Sequence, residues 1–153
     1  MRFDLEVTIE QPVGVVFAYV TDVRNLPEWQ ESAVAADWIE PGRRFRERRS
    51  FLGRSVEIEL EVTALEPDRR FDVRAVKGPV RFEIQHAFAA VDGGTSLHVS
   101  AEAKVEGAMR FAAAMAKGQV ERQFRADLDR LKEALERRDE ESPSDRPPRL
   151  ADE

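Results

Sequence analysis

Large apolar residues recur at helical spacing near the end of the chain. Five of them fall within roughly 80° of one another on a helical wheel: Val120, Phe124, Leu128, Leu131 and Leu135. This narrow stripe predicts a long helix from Ala108 to about Arg138 with one face packed on another element. The sequence before it is mostly strand-like, so we expect that element to be a sheet.

The first half of this helix has almost no polar face. Apart from Arg110, the residues from Met109 to Ala116 are apolar, and Gly118 interrupts the run. A helical segment that is apolar all round is typical of a buried core or of one wall of a cavity. The pattern leaves both interpretations open, and the choice between them bears on function.

Strict alternation marks the beginning of the chain. Residues 2–10 place polar side chains on one face and Phe3, Leu5, Val7 and Ile9 on the other, which predicts a half-buried strand. Pro12 ends it, and apolar residues then recur at helical spacing up to Thr21. A second short helix is predicted from Val23 to Trp29, followed by a brief strand from Ala33 to Ile39.

Charge alternation sets the pairing of the next hairpin. A two-residue turn at Leu52-Gly53 sets three arginines opposite carboxylates: Arg48 opposite Glu57, Arg46 opposite Glu59 and Arg44 opposite Glu61. These pairs predict a solvated charge ladder on one face. The other face, which carries Phe45, Glu47 and Arg49, is then the inner one.

The same reasoning applies to the last hairpin. With a turn from Asp92 to Thr95, Arg81 pairs with Glu106 and Glu83 with Lys104 outside, while the inner pairs are Phe82 with Val105, Ile84 with Ala103, His86 with Ala101 and Phe88 with Val99. Between the hairpins, a strand with Phe71 lies between two turns. The predicted order is strand, two short helices, six strands and a long helix.

Composition narrows the function classes. The chain has 153 residues, which predicts one domain, and its net charge of -6 argues against nucleic-acid binding by phosphate neutralisation. It has no cysteine, no apolar run long enough for a membrane span and no signal-peptide-like start, so the cytoplasm is the default location. Residues 138–153 have three prolines and one leucine and predict a disordered tail.

Three inner polar residues are candidates for chemistry. Glu47 and Arg49 share the face of Phe45, and a buried charge needs a partner, so they predict an internal ion pair; a position at the rim is the alternative. His86 is either a hydrogen-bonded core residue or the one inner group able to exchange a proton near neutral pH. His98 alternates outward and is expected at the surface.

Familiar catalytic and cofactor motifs are absent. The sequence has no histidine or cysteine spacing typical of a metal site, no glycine-rich phosphate loop and no nucleophile elbow, so we expect neither a metal nor a cofactor. Inner aromatic residues instead suggest an apolar pocket. The candidate ligand-binding residues are Trp29, Trp38, Phe45, Phe71, Phe82, His86, Phe88, Phe111 and Met115.

The chain resembles a known family in several stretches. The sequence PVGVVFAYVTDVRNLPEW from Pro12 to Trp29 is similar to the two-helix opening of the polyketide cyclase/dehydrase-like branch of the START and Bet v 1-like superfamily. PGRRF from Pro41, VTALEP from Val62, DGGT from Asp92 and LKEALE from Leu131 follow in the same order. The resemblance covers residues 1–137 and implies an α+β helix-grip fold, in which a curved seven-stranded antiparallel sheet wraps the last helix around a cavity.

Three functions follow from these observations. The first is a carrier or sensor that binds a small hydrophobic or aromatic ligand in the cavity, without nucleic acid or a membrane span. The second is a cyclase or dehydratase-like enzyme in which His86 moves a proton and Arg49 stabilises enolate charge. The third is a solid-cored protein that acts through a protein partner. The sequence is compatible with a monomer or a homodimer.

Overall fold

A computed structural model of the protein describes residues 1–51, 53–107 and 109–140. The strands are β1 (Arg2–Ile9), β2 (Ala33–Glu40), β3 (Arg44–Phe51), β4 (Arg54–Glu66), β5 (Arg70–Lys77), β6 (Arg81–Val91) and β7 (Gly94–Lys104). The helices are α1 (Val13–Thr21), α2 (Leu26–Trp29), which follows a 3-10 turn at Val23–Asn25, and α3 (Met109–Glu140). The predicted order of elements is confirmed.

The seven strands form one antiparallel sheet in the order β1-β7-β6-β5-β4-β3-β2. From β2 to β7, each strand pairs with the next one along the chain. Strand β1 pairs with β7 and forms one edge of the sheet, and β2 forms the other. The predicted α+β helix-grip fold is confirmed: the sheet curves, and α3 packs on β1 and on α2.

The register of the first hairpin is as predicted. Arg44 pairs with Glu61, Phe45 with Leu60 and Arg49 with Val56. Gly53 in the turn has a φ of 75°, a left-handed conformation that glycine adopts at little cost. Among the described residues, only Arg44 of the three outer arginines has carboxylate oxygens within 4.0 Å, from Glu59 and Glu61. The ladder is therefore a solvated face rather than a chain of close ion pairs.

The register of the last hairpin differs from the prediction by two residues. Arg81 pairs with Lys104 rather than Glu106, Glu83 with Glu102 rather than Lys104, and His86 with Val99 rather than Ala101. The turn is shorter than predicted, since Val91 pairs with Gly94 and Gly93 has a φ of 78°. A shift of two residues leaves each side chain on the same face, so the inner face was predicted correctly although the charge pairs were not.

The two halves of α3 have different environments. Leu128, Leu131 and Leu135 are almost completely buried, as the stripe predicts. The first turns are neither core nor cavity wall: Phe111 is 80% exposed and Met115 is 88% exposed. From Met109 to Gln119 only Ala113 is half-buried, because the helix meets the rest of the protein only from Val120 onward. The prediction that this segment packs inside is wrong.

Helix α3 also continues past the predicted domain boundary at residue 137, as far as Glu140. The remainder of the predicted tail, residues 141–153, lies outside the described residues. Within the part of the chain that the structure describes, no helix is both long enough and apolar enough to cross a membrane.

Candidate functional site

A cavity of about 270 Å³ lies between the concave face of the sheet and the middle of α3. Its walls are mostly apolar and come from most strands of the sheet, from α2 and from α3. Phe3 of β1 and Phe124 of α3 meet edge to face there, with ring centroids 4.9 Å apart. This cavity contradicts the third interpretation of the sequence, which requires a solid core.

Polar side chains from three elements meet on one part of the cavity wall. We call this group the polar cluster: Gln30, Ser32, Glu47, Arg49, Gln123 and Asp127. Arg49 joins its members, because its Nε donates to Glu47 Oε2 at 2.7 Å and its Nη1 donates to Ser32 Oγ at 2.7 Å. Its Nη2 donates to the side-chain oxygen of Gln30. Glu47 is only 4% exposed, so the predicted internal ion pair is present.

Asp127 supplies a second carboxylate to the polar cluster. Its Oδ1 accepts hydrogen bonds from the backbone nitrogen of Glu31 at 3.2 Å and from Gln123 Nε2 at 3.0 Å. Burial raises the pKa of Asp127, although these bonds and the charges of Arg130 and Arg49 act in the opposite direction. Arg130 Nη1 lies 3.8 Å from Asp127 Oδ1, so two guanidinium groups, those of Arg130 and Arg49, partly compensate this carboxylate.

His86 lies on another part of the wall, with β4 and β5 between its strand and β3. Its Nδ1 is 2.7 Å from the carbonyl oxygen of Phe71, and its ring stacks on the Phe71 ring at 5.6 Å. Because a carbonyl only accepts, Nδ1 carries the proton and Nε2 keeps a free lone pair. Burial lowers the pKa of His86 and favours the neutral imidazole.

Seven of the predicted site residues line the cavity. They are Trp29, Phe45, Glu47, Arg49, Phe71, Phe82 and His86. The alternation of β3 and β6 therefore identified the inner side chains of two strands that are not neighbours. His98, predicted to face outward, is exposed, and its Nε2 lies 3.2 Å from Asp4 Oδ1.

Four predicted ligand-binding residues lie outside the cavity wall. Phe111 and Met115 face solvent on the first turns of α3. Trp38 packs edge-on against Phe45 at 5.5 Å, behind the cavity wall. Phe88 packs against Phe17 at 5.1 Å, where α1 fills the space in front of β6. Inner-face alternation does not distinguish a strand position beside the cavity from one covered by a helix.

The sequence interpretation missed several residues of the wall: Phe3, Gln30, Ser32, Gln123, Phe124 and Asp127. A signal existed for Asp127, since it lies seven residues after Val120 and three after Phe124, on the edge of the apolar stripe. A carboxylate in that position is unusual. Gln30 and Ser32 lie between α2 and β2 and carry no periodic signal.

A search against protein-family models agrees with this architecture. Residues 1–136 match the model described as polyketide cyclase / dehydrase and lipid transport. The chain belongs to this family. The family resemblance that the sequence shows over residues 1–137 is thereby confirmed. No curated protein matches the sequence significantly.

Solved structures show the same fold at low sequence identity. The Zhui aromatase/cyclase from Streptomyces sp. R1128 superposes with a TM-score of 0.76 at 20% identity, covering 90% of this chain and 94% of its own. A START superfamily protein from Mycobacterium smegmatis gives 0.71 at 15% identity, with 89% and 97% covered. A protein from Deinococcus radiodurans gives 0.68 at 22% identity, with 87% and 95% covered. These likenesses establish the fold alone.

Proposed function

We propose that this protein binds a small hydrophobic or aromatic ligand in the cavity between the sheet and α3, as a carrier or sensor. The observation that carries the proposal is the cavity itself, about 270 Å³ in volume and mostly apolar, with polar groups confined to a few positions. Ligand-binding pockets are commonly mostly apolar with a few polar groups, and the volume of this cavity is close to the lower end of their range, roughly 300 Å³. Membership of a family described by polyketide chemistry and lipid transport supports it.

A cavity-filling substitution tests the proposal. Ala101 is buried on β7 and lines the cavity, so Ala101→Phe places a benzyl group where the ligand would lie. Ala87 is exposed on the neighbouring strand β6, and Ala87→Phe is the matched control. We expect Ala101→Phe to weaken binding of the neutral fluorescent probe N-phenyl-1-naphthylamine at least about tenfold, with no change in the control.

Equal binding by both variants and the wild type would place the probe outside the cavity and contradict the proposal. Thermal unfolding of each variant shows that the fold is retained. Native mass spectrometry of protein purified from its own host then gives the mass of any molecule that remains bound.

A second candidate function is a cyclase or dehydratase-like enzyme. The free Nε2 lone pair of a neutral His86 in the cavity wall favours it, because such a group can accept a proton from an enolisable substrate. We place it second because the charge of Arg49, the other residue this mechanism requires, is already balanced by Glu47 at 2.7 Å. Deuterium exchange at the methyl group of 2-acetonaphthone, followed by NMR, tests it. Exchange that His86→Phe abolishes would support the enzyme, and exchange at the buffer rate would exclude this role for His86.

A further inference from the structure

The polar cluster contains more carboxylates than guanidinium groups. It has one guanidinium, from Arg49, and two carboxylates, from Glu47 and Asp127. Each of the three nitrogens of Arg49 donates to a protein oxygen, on Glu47, Ser32 and Gln30. Nη1 and Nη2 each keep a second N–H, but Glu47 at 2.7 Å already balances the charge of the guanidinium, so an anionic group that entered the cavity would compete with this carboxylate. The positive charge in the wall is therefore already committed.

Both carboxylates keep one oxygen without a partner. Glu47 accepts from Arg49 through Oε2, and Asp127 accepts from Glu31 and Gln123 through Oδ1. Among the described residues, no hydrogen bond reaches Glu47 Oε1 or Asp127 Oδ2. The two side chains belong to residues only 4% and 7% exposed, and both line the cavity.

These two oxygens are not sealed in the protein interior. In the described part of the chain, the only completely buried side-chain oxygen or nitrogen without a partner is Asp72 Oδ1. Glu47 Oε1 and Asp127 Oδ2 therefore retain accessible surface, and both residues line the cavity. Unpaired carboxylate oxygens in a mostly apolar cavity are strong acceptors, because little water competes for them.

We propose that the polar cluster selects ligands whose polar end donates hydrogen bonds, such as a hydroxyl or an ammonium group, and disfavours carboxylates and phosphates. The inference rests on the proposed ligand-binding function and specifies the ligand's chemical class. An anionic head group would lie beside two carboxylates, with the Arg49 guanidinium already paired with Glu47 and Arg130 shared between Asp127 and Glu31, and like-charge contact in a cavity is costly. The apolar remainder of the ligand would contact Phe3, Phe82 and Phe124, which lie elsewhere on the wall.

Four probes with one apolar body test the selection in the full chain. They are naphthalene, 2-naphthol, 2-naphthylmethylammonium and 2-naphthoate, with binding followed by the fluorescence of the tryptophans. Trp29 lines the cavity and reports on its occupancy. We expect 2-naphthol and the ammonium compound to bind more tightly than naphthalene, and 2-naphthoate to bind at least about tenfold more weakly than 2-naphthol.

The outcomes separate the two proposals. Tighter binding of the ammonium compound than of 2-naphthol means that the ligand's positive charge is recognised by the carboxylates. Tighter binding of 2-naphthol means that the donated hydrogen bond matters more than the charge. Binding of 2-naphthoate as tight as that of 2-naphthol overturns the selection while ligand binding stands. Failure of all four probes, naphthalene included, overturns cavity binding and this inference with it.

Asp127→Asn tests the acceptor directly. The asparagine oxygen can keep the bonds from Glu31 and Gln123, while its amide nitrogen replaces the free oxygen with a donor. We expect the preference for the ammonium compound over 2-naphthoate to fall about tenfold or more. Asp129→Asn, two residues along on the exposed face of α3, is the matched control and should leave the preference unchanged.

An unchanged preference in a folded Asp127→Asn protein contradicts the inference. If that variant does not fold, Glu47→Gln makes the same test, because its side-chain oxygen can still accept from Arg49 Nε. Thermal unfolding of each variant establishes that the comparison is between folded proteins.

Discussion

Arg49 Nε lies 2.7 Å from Glu47 Oε2, and the two residues are consecutive on the inner face of β3, two positions apart in the sequence. A strand turns every second side chain to the same face, so this spacing alone brings the two charges together. Neither charge would be stable alone inside the protein. The pair is therefore a unit, and removing one member leaves the charge of the other without compensation.

We predict that Arg49→Met destabilises the protein by about 3 kcal/mol, because it leaves the buried Glu47 carboxylate without its partner. The double variant Glu47→Leu/Arg49→Met should recover most of this loss, since it removes both charges. Denaturant-induced unfolding of the two variants and the wild type measures the difference. Equal destabilisation by the single and double variants would show that packing, rather than charge compensation, sets the cost.

The two halves of α3 should respond differently to truncation. Leu128→Ala removes a side chain that is 2% exposed and should cost about 2 to 5 kcal/mol. Phe111→Ala removes a larger side chain that is mostly in solvent and should change the free energy of unfolding by less than about 0.5 kcal/mol. It should also leave binding of N-phenyl-1-naphthylamine unchanged. A large effect of Phe111→Ala on either quantity would mean that this segment packs on the protein.

His86 should make stability depend on pH. Burial holds its pKa below the ordinary value, against the Phe71 carbonyl and Asp72, which raise it. Below about pH 6.5 the unfolded chain therefore binds a proton that the folded protein does not, and the free energy of unfolding falls as the pH drops. His86→Gln can keep a donor for the Phe71 carbonyl without titrating, so its melting temperature should fall less between pH 7.5 and 5.5. His98→Gln, at an exposed position, is the control, and identical pH profiles for the two variants would contradict the prediction.

Two glycine-to-alanine substitutions should change the free energy of unfolding in opposite directions. A Cβ on Gly94 would lie 2.1 Å from the carbonyl oxygen of Ile9, so Gly94→Ala must separate β1 from β7 and should cost more than about 2 kcal/mol. A Cβ on Gly118 would meet nothing closer than Arg122 Nη1 at 3.6 Å. In an exposed helix interior, Gly118→Ala should add about 0.5 to 1 kcal/mol. Thermal unfolding of both variants checks the pair, and a stable Gly94→Ala protein would contradict the close approach.

Residues 141–153 should contribute little to stability. Their sequence has one large apolar side chain, Leu150, and three prolines, so there is little apolar surface for them to bury. Deleting this segment should shift the melting temperature by no more than a few degrees. A larger drop would show that it docks on the domain.

The fold could be predicted because its signals are local. The alternation in β1 and the stripe from Val120 to Leu135 each concern neighbouring positions on one element, and the turn at Gly53 fixes the register of β3 and β4. The register of the last hairpin differs because the prediction used a four-residue turn from Asp92 to Thr95, whereas Val91 pairs with Gly94 and leaves a two-residue turn. Exposed pairs contribute only a few tenths of a kcal/mol and do not determine register, whereas the turn at Gly93 does.

The site was less predictable because it depends on which inner positions meet empty space. Phe82 and Phe88 both face inward from β6, yet only Phe82 lines the cavity, since α1 covers Phe88. The apolar composition around Phe111 indicated packing that the helix does not make. The polar cluster brings β3, α3 and the segment after α2 together, and no pattern within one element reveals such a meeting.

The pairing of β1 with β7 has a consequence for biosynthesis. Strands β2 to β6 can each pair with the strand that leaves the ribosome next, but the partner of β1 is the last strand to be made, with Arg2 opposite Glu102 and Ile9 opposite Thr95. The apolar side chains of β1 therefore remain without their native partners, β7 and α3, while the rest of the sheet is synthesised. Closure must follow release of β7, which makes the N-terminal strand the one that most needs protection on a translating ribosome.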